Sequence, residues 1–213
     1  MKHRPAILMA AAVAAVAVLS LGRSAQNKQV FAAQKASDSA TSAPSTTAQY
    51  TADGKLKLPV GFRRWIFIGA PTTPNALNDG EANFPEFHHV YVEEKNLDVY
   101  LKTGNFPEGT VLIKELTRVL KPTFPDGSRT EPSGRGYFNG EFNGIDASVK
   151  DSKRFAKTNG WGYFTFGHHP MPYAQTAAES PASECAGCHA ANVAKTDMTW
   201  VQFYPLLRDK PTP

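Results

Sequence analysis

The sequence predicts an α+β domain, a mainly antiparallel β-sheet with a few helices, the last of them close to the C-terminus. Three observations lead there. Apolar and alternating runs are short and are separated by Gly, Pro, Asn and Asp. Asn139-Gly140 stands between aromatic residues, which suits the tight turn of a hairpin. Helical periodicity is brief, confined to a stretch around Leu97 and another that follows Pro181.

Taken in order, the chain starts with a positive Lys2-His3-Arg4 followed by an Ala/Val/Leu-rich run from Ala6 to Leu21. This pattern is that of a secretory signal peptide, assigned to residues 1–25, with a second cleavage position near Ala32-Ala33. An uncleaved membrane anchor would present the same residues, although the run is short for a span. Residues 26–49 are rich in Ala, Ser, Thr and Gln and have no hydrophobic period, so they read as a disordered linker. Residues 50–213 hold most of the aromatic side chains and are enough for one core.

Within that domain the expected strands are Trp65 to Ile68, Phe87 to Val92, Thr110 to Leu116, Ile145 to Val149 and Trp161 to Phe166. Leu97, Tyr100 and Leu101 share one helical face, and Gly104 stops that helix. Tyr137 to Phe142 is expected to form a hairpin turning at Asn139-Gly140. The segment from Lys121 to Gly136, with three prolines and three glycines, reads as an exposed loop. Ser180 is the candidate N-cap of the last helix, with Pro181 at its first position.

That last helix carries Cys185-Ala186-Gly187-Cys188-His189, the attachment signature of a c-type haem. Each thiol can add to one vinyl group of the porphyrin, and the adjacent imidazole can take the iron. On a helix, residues 185, 188 and 189 stand at i, i+3 and i+4 and so share a face. A four-cysteine zinc site is excluded because the chain has only 2 cysteines, and a disulfide leaves His189 without a role. Export fits the motif, since c-type haem is attached outside the bacterial cytoplasmic membrane. A periplasmic location is therefore expected.

The formal charge of +4 owes much to Lys2, Arg4 and Arg23; without residues 1–25 it falls to +1, and two haem propionates would take it to about −1. No basic cluster is interleaved with aromatics, so nucleic acid is not an expected partner. In a strand, Lys114 lies between Leu112 and Leu116 on one face. It is either an edge-strand lysine with its stem along the sheet or a buried functional amine. His88-His89 and His168-His169 cannot chelate as pairs, because neighbouring strand residues point to opposite faces. One of each pair could approach the iron or donate to its ligand, but solvated or core roles are the ordinary reading for them, as core packing is for Met171 and Met198.

Several blocks together resemble the cytochrome P-460 family of periplasmic mono-haem c-type cytochromes. They are Gly61-Phe-Arg-Arg-Trp-Ile-Phe-Ile-Gly69, Thr73-Pro-Asn-Ala-Leu-Asn-Asp-Gly80, the run from Tyr100 to Leu116, Gly136-Tyr-Phe-Asn-Gly140, Ala147 to Phe155, Gly160-Trp-Gly-Tyr-Phe164, Glu184 to His189, Ala194-Lys-Thr-Asp197 and Gln202 to Leu207. The resemblance implies a β-rich homodimer that oxidises hydroxylamine, to nitric oxide or nitrous oxide, at a five-coordinate haem. It implies one covalently attached haem c on Cys185 and Cys188, His189 as the axial iron ligand, and a covalent bond from Lys114 to the porphyrin. A carboxylate near the haem assists in family members, and the matching motifs assign it to no residue here. Electrons would pass to a small periplasmic acceptor such as a c-type cytochrome. Two other functions compete: nitric oxide binding or detoxification, as in the related cytochromes c′-beta, and simple electron transfer with His/Met ligation.

Overall fold

The computed structural model describes residues 48–208. The expected signal peptide, and the linker up to residue 47, lie outside them. The elements are β1 (Leu56–Lys57), β2 (Ile66–Gly69), β3 (Phe87–Val92), α1 (Glu94–Thr103), β4 (Val111–Val119), β5 (Arg129–Glu131), β6 (Gly134–Gly136), β7 (Asn139–Lys150), β8 (Trp161–Gly167), β9 (Thr176–Ala177), α2 (Cys185–Val193) and α3 (Pro205–Arg208). Five strands form one antiparallel sheet in the order β2-β3-β4-β7-β8, and β1-β9 and β5-β6 are two-stranded pairs. The expected α+β architecture is the one found.

The central sheet separates two cores, and the period-2 pattern of β4 explains why. Leu112, Lys114 and Leu116 face one side, and Val111, Ile113 and Glu115 face the other. On the first side Leu112 joins Ile68, Val90, Val92, Leu97, Tyr100, Trp161 and Tyr163, with Ala186 of α2 and Met198 and Leu207 beyond it. On the second side Val111 and Ile113 join Phe62, Ile145, Val149, Phe155, Phe164 and Phe166. Ile113 and Ile145 are wholly buried, and each such aliphatic side chain is worth about 1.5–3 kcal/mol of transfer free energy. Helix α1 lays Leu97 and Tyr100 on the first side, and Gly104 closes it with φ 78°.

Two local expectations are corrected. No hairpin turns at Asn139-Gly140: both residues lie inside β7, where Asn139 pairs with Val119 and Phe142 with Thr117 across a bulged register. A Cβ on Gly140 would come within 3.1 Å of the Arg118 carbonyl oxygen and 3.3 Å of Leu120, so this glycine serves a close strand approach rather than a turn. The chain reverses earlier, between β5 and β6, inside the segment expected to be only a loop. The last helix also starts later than Pro181, with Glu184 as its cap residue. Ser180 instead donates its backbone N–H to the Tyr163 carbonyl, 2.7 Å away, as a continuation of the sheet. That bond keeps the Ser180 backbone with the sheet, short of the cap position at Glu184.

Candidate functional site

Helix α2 packs Ala186 and Cys185 onto the first core and turns Cys188 outward. Both cysteines are free thiols. Burial pushes the Cys185 thiol up; the Asp146 carboxylate adds to this and the Lys114 ammonium opposes it. The His189 ring lies between Tyr163, with ring centroids 4.7 Å apart, and Trp200, 5.7 Å away and edge-on. Its Nδ1–H donates to the Met198 carbonyl oxygen at 2.6 Å. That bond sets the tautomer and leaves the Nε2 lone pair available, met only by a long 3.4 Å donation from the Trp200 indole N–H. Burial holds the His189 pKa below the ordinary range, which favours the neutral, ligating form.

Lys114 is half-buried on the same sheet face, between Val90 of β3 and Asp146 of β7. Its Nζ lies 2.9 Å from Asp146 Oδ2 and 4.3 Å from the centre of the Phe84 ring. Asp146 Oδ1 is 2.9 Å from His168 Nε2. Burial would raise the Asp146 carboxyl, but His168 and Lys114 outweigh it and hold the pKa down at about 2. The same hydrogen bond raises His168. His88 completes the group: it packs edge-on against Phe84 with its Nε2 buried and unpartnered, and burial, followed by the Lys114 charge, lowers its pKa to about 4.

These residues fit a haem c. Two free thiols and an imidazole share one short helix, the imidazole has its Nδ1 anchored and its Nε2 met only by the long Trp200 contact, and an apolar wall of Leu112, Val90 and Tyr163 lies beside them. The Tyr163 hydroxyl on this wall is buried without a partner, and burial pushes its pKa up strongly.

The structure brings Lys114 to the face on which Cys185 and His189 sit. It separates the paired histidines as expected: His88 and His168 join the Lys114 group, whereas His89 bonds Thr117 Oγ1 and Asn139 Oδ1, and His169 bonds the Pro170 carbonyl. Met198 is 4 % exposed and packs as expected, but its useful atom is the backbone oxygen. Met171, expected in the core, is instead 53 % exposed, with its sulfur 3.9 Å from Arg63 Nη2 on the opposite side of the sheet. A depression of about 520 Å³ lined by Phe62, Arg63, Ile145 and Met171 lies on that opposite side as well. Among the described residues, no three His, Cys, Asp or Glu side chains are grouped to hold a bare metal ion.

Asp146 was not among the sequence-based candidates. Its one local signal is a lone acid between Ile145 and Ala147 in an apolar strand; its role appears only when the β4–β7 register sets it beside Lys114. Comparison with protein families finds that the model described as Cytochrome P460 matches residues 59–201. No curated protein matches the chain.

Proposed function

The chain belongs to the cytochrome P460 family; from that premise we propose that it is a periplasmic haem c protein that oxidises hydroxylamine. In this reading Cys185 and Cys188 hold one haem through thioethers, and His189 Nε2 is the axial ligand. The bound iron supplies a site that takes hydroxylamine through nitrogen and accepts its electrons.

The remaining work is done by side chains. The Met198 carbonyl keeps His189 in its ligating tautomer. Lys114 Nζ is the group that would join the porphyrin edge, in a bond that would replace a ring C–H and would therefore need a two-electron oxidant such as peroxide to take up the electrons. Asp146 Oδ2, 2.9 Å away, fixes where Nζ sits. In turnover Asp146 stays ionised and orients His168, whose side chain is 44 % exposed and can pass protons to solvent. A small c-type cytochrome as electron acceptor and a homodimeric assembly belong to the same proposal.

The observation that carries this reading is the placement of Lys114, between Val90 and Asp146 in the sheet, on the face against which Cys185 of the C-x-x-C-H helix packs. One observation favours nitric oxide binding without a cross-link: Lys114 is satisfied as an ammonium by Asp146, and an ammonium is no nucleophile. Simple His/Met electron transfer is the weakest reading, because Met171 lies across the sheet and Met198 faces His189 with its carbonyl.

Proteolytic digestion of the holoprotein separates the first two readings. The expected product is a haem peptide containing both the Cys185–His189 segment and the Lys114 segment, with a Soret band red-shifted from that of an ordinary c-type haem. Lys114→Leu should keep the thioethers, restore a common spectrum and abolish hydroxylamine oxidation while leaving nitric oxide binding. A haem peptide with the cysteine segment alone would make gas binding the function.

A further inference from the structure

The loop after α2 contains the most tightly tied carboxylate of the described residues, and the haem reading does not use it. Asp197 is 8 % exposed at its side chain. Its two oxygens accept from Lys150 Nζ at 2.8 Å each, from the Trp161 indole N–H at 3.1 Å and from the Phe106 backbone N–H at 2.7 Å. These donors come from the end of β7, the start of β8 and the segment between α1 and β4, so one side chain pins the loop to three separate parts of the first core.

The backbone it pins is strained. Asp197 and Met198 are consecutive non-glycine residues with φ 52° and 57°, in the left-handed region. Each costs of order 1 kcal/mol, and such a pair persists only where the surroundings over-determine it. Thr196 and Thr199 lock the turn from within, through Thr196 Oγ1 to the Thr199 carbonyl at 2.8 Å and Thr199 Oγ1 to the Asp197 carbonyl at 3.0 Å. The product of this conformation is the direction of one group: the Met198 carbonyl, aimed at His189 Nδ1 from 2.6 Å. Asn159 holds the Met198 side chain from the other end, Nδ2 to sulfur at 3.5 Å.

We propose that Asp197 is a positioning residue for the axial histidine: by fixing the Met198 carbonyl it sets how strongly His189 donates electrons through Nε2. A carbonyl that accepts firmly from Nδ1–H makes an imidazole a better donor, which strengthens the iron bond and favours the ferric state. The proposal rests on His189 being the axial ligand, and the test below separates the two.

The test uses holoprotein of the wild type, Asp197→Asn, Lys150→Gln and Gly162→Ala. The last variant is a structural control, because a Cβ there would run into the Phe155 ring on the opposite side of the sheet. Haem content by intact mass, urea stability, the ferrous iron–histidine stretching band and the midpoint potential are measured on each. Asp197→Asn should retain its covalent haem, move the stretching band to lower frequency and move the potential to more positive values. Lys150→Gln should do the same to a smaller degree, and it carries the test by itself should Asp197→Asn fail to fold. Gly162→Ala should lose stability and keep the wild-type band and potential. If the Asp197 and Lys150 variants lose stability with band and potential unmoved, Asp197 is a structural tie and the proposal is overturned. Absence of an iron–histidine band in the wild type would instead overturn the axial role of His189, and this proposal with it.

Discussion

The two faces of the central sheet hold their charges in opposite ways, and adjacent residues of β4 display the difference. Glu115 points to the second core, is 1 % exposed, and is gripped by the Arg63 guanidinium, whose Nε lies 3.0 and 3.2 Å from its two oxygens. That one guanidinium makes three contacts with the carboxylate. Lys114 points to the first core, where Asp146 holds it from one side, Phe84 covers it, and His88 stands near with an unpartnered nitrogen. Unpartnered buried hydroxyls occur on both sides, on Tyr163 at the Lys114 side and on Tyr50 and Tyr173 at the other, so they do not distinguish the faces. The ion pairs do. A closed bidentate pair is structure, whereas a lysine, an acid and His168 joined by single contacts form a group that can still exchange protons.

The comparison breaks most visibly where the closed pair is opened. Arg63→Met leaves Glu115 buried without a counter-charge and should cost roughly 3 kcal/mol in urea unfolding. The haem spectrum should stay that of the wild type; a shifted spectrum would mean that the two faces are not independent.

On the Lys114 side, acid should reveal His88. Its folded pKa of about 4 lies below the ordinary 6.5, so between those values the unfolded chain binds a proton that the folded chain does not. Stability is then fully present above pH 6.5 and falls as pH drops toward 4, by up to about 3 kcal/mol. His88→Phe should flatten that limb when Tm is followed against pH. His168 has the opposite sign, since its raised pKa gives stability that is complete below 6.5 and fades as pH rises above it.

The smallest stability effect is expected where the group is most open. Asp146→Asn should cost only about 1 kcal/mol at neutral pH, because Lys114 and His168 are both partly solvated. Its carboxyl is depressed from 3.8 to about 2, so that contribution exists above pH 3.8 and disappears as pH falls toward 2, where variant and wild type should unfold alike. Hydroxylamine oxidation should fall by far more than the stability change accounts for. Equal losses in stability and turnover would make Asp146 a mere counter-ion.

Sequence alone determined the parts of this protein that depend on local order. The C-x-x-C-H spacing makes three groups share a helix face wherever that helix lies, and the alternation in β4 puts Lys114 and Glu115 on opposite sides before any partner is known. Phe87 to Val92 and the helix ended by Gly104 were legible for the same reason, since period and stop signal lie within a few residues. Tertiary structure decided everything that required a second strand. Asn139-Gly140 has the chemistry of a turn, but pairing with Val119 over the length of β7 outweighs a two-residue preference. Ser180 is no cap because the bond of its backbone N–H to Tyr163 keeps it with β8, while the helix opens only at Glu184. Asp146 became a partner of Lys114 through register, and the Met198 carbonyl became a partner of His189 through a strained turn held by Lys150, Trp161 and Phe106. Those donors lie 36 to 91 residues from Asp197, a separation at which no periodicity in the sequence connects them.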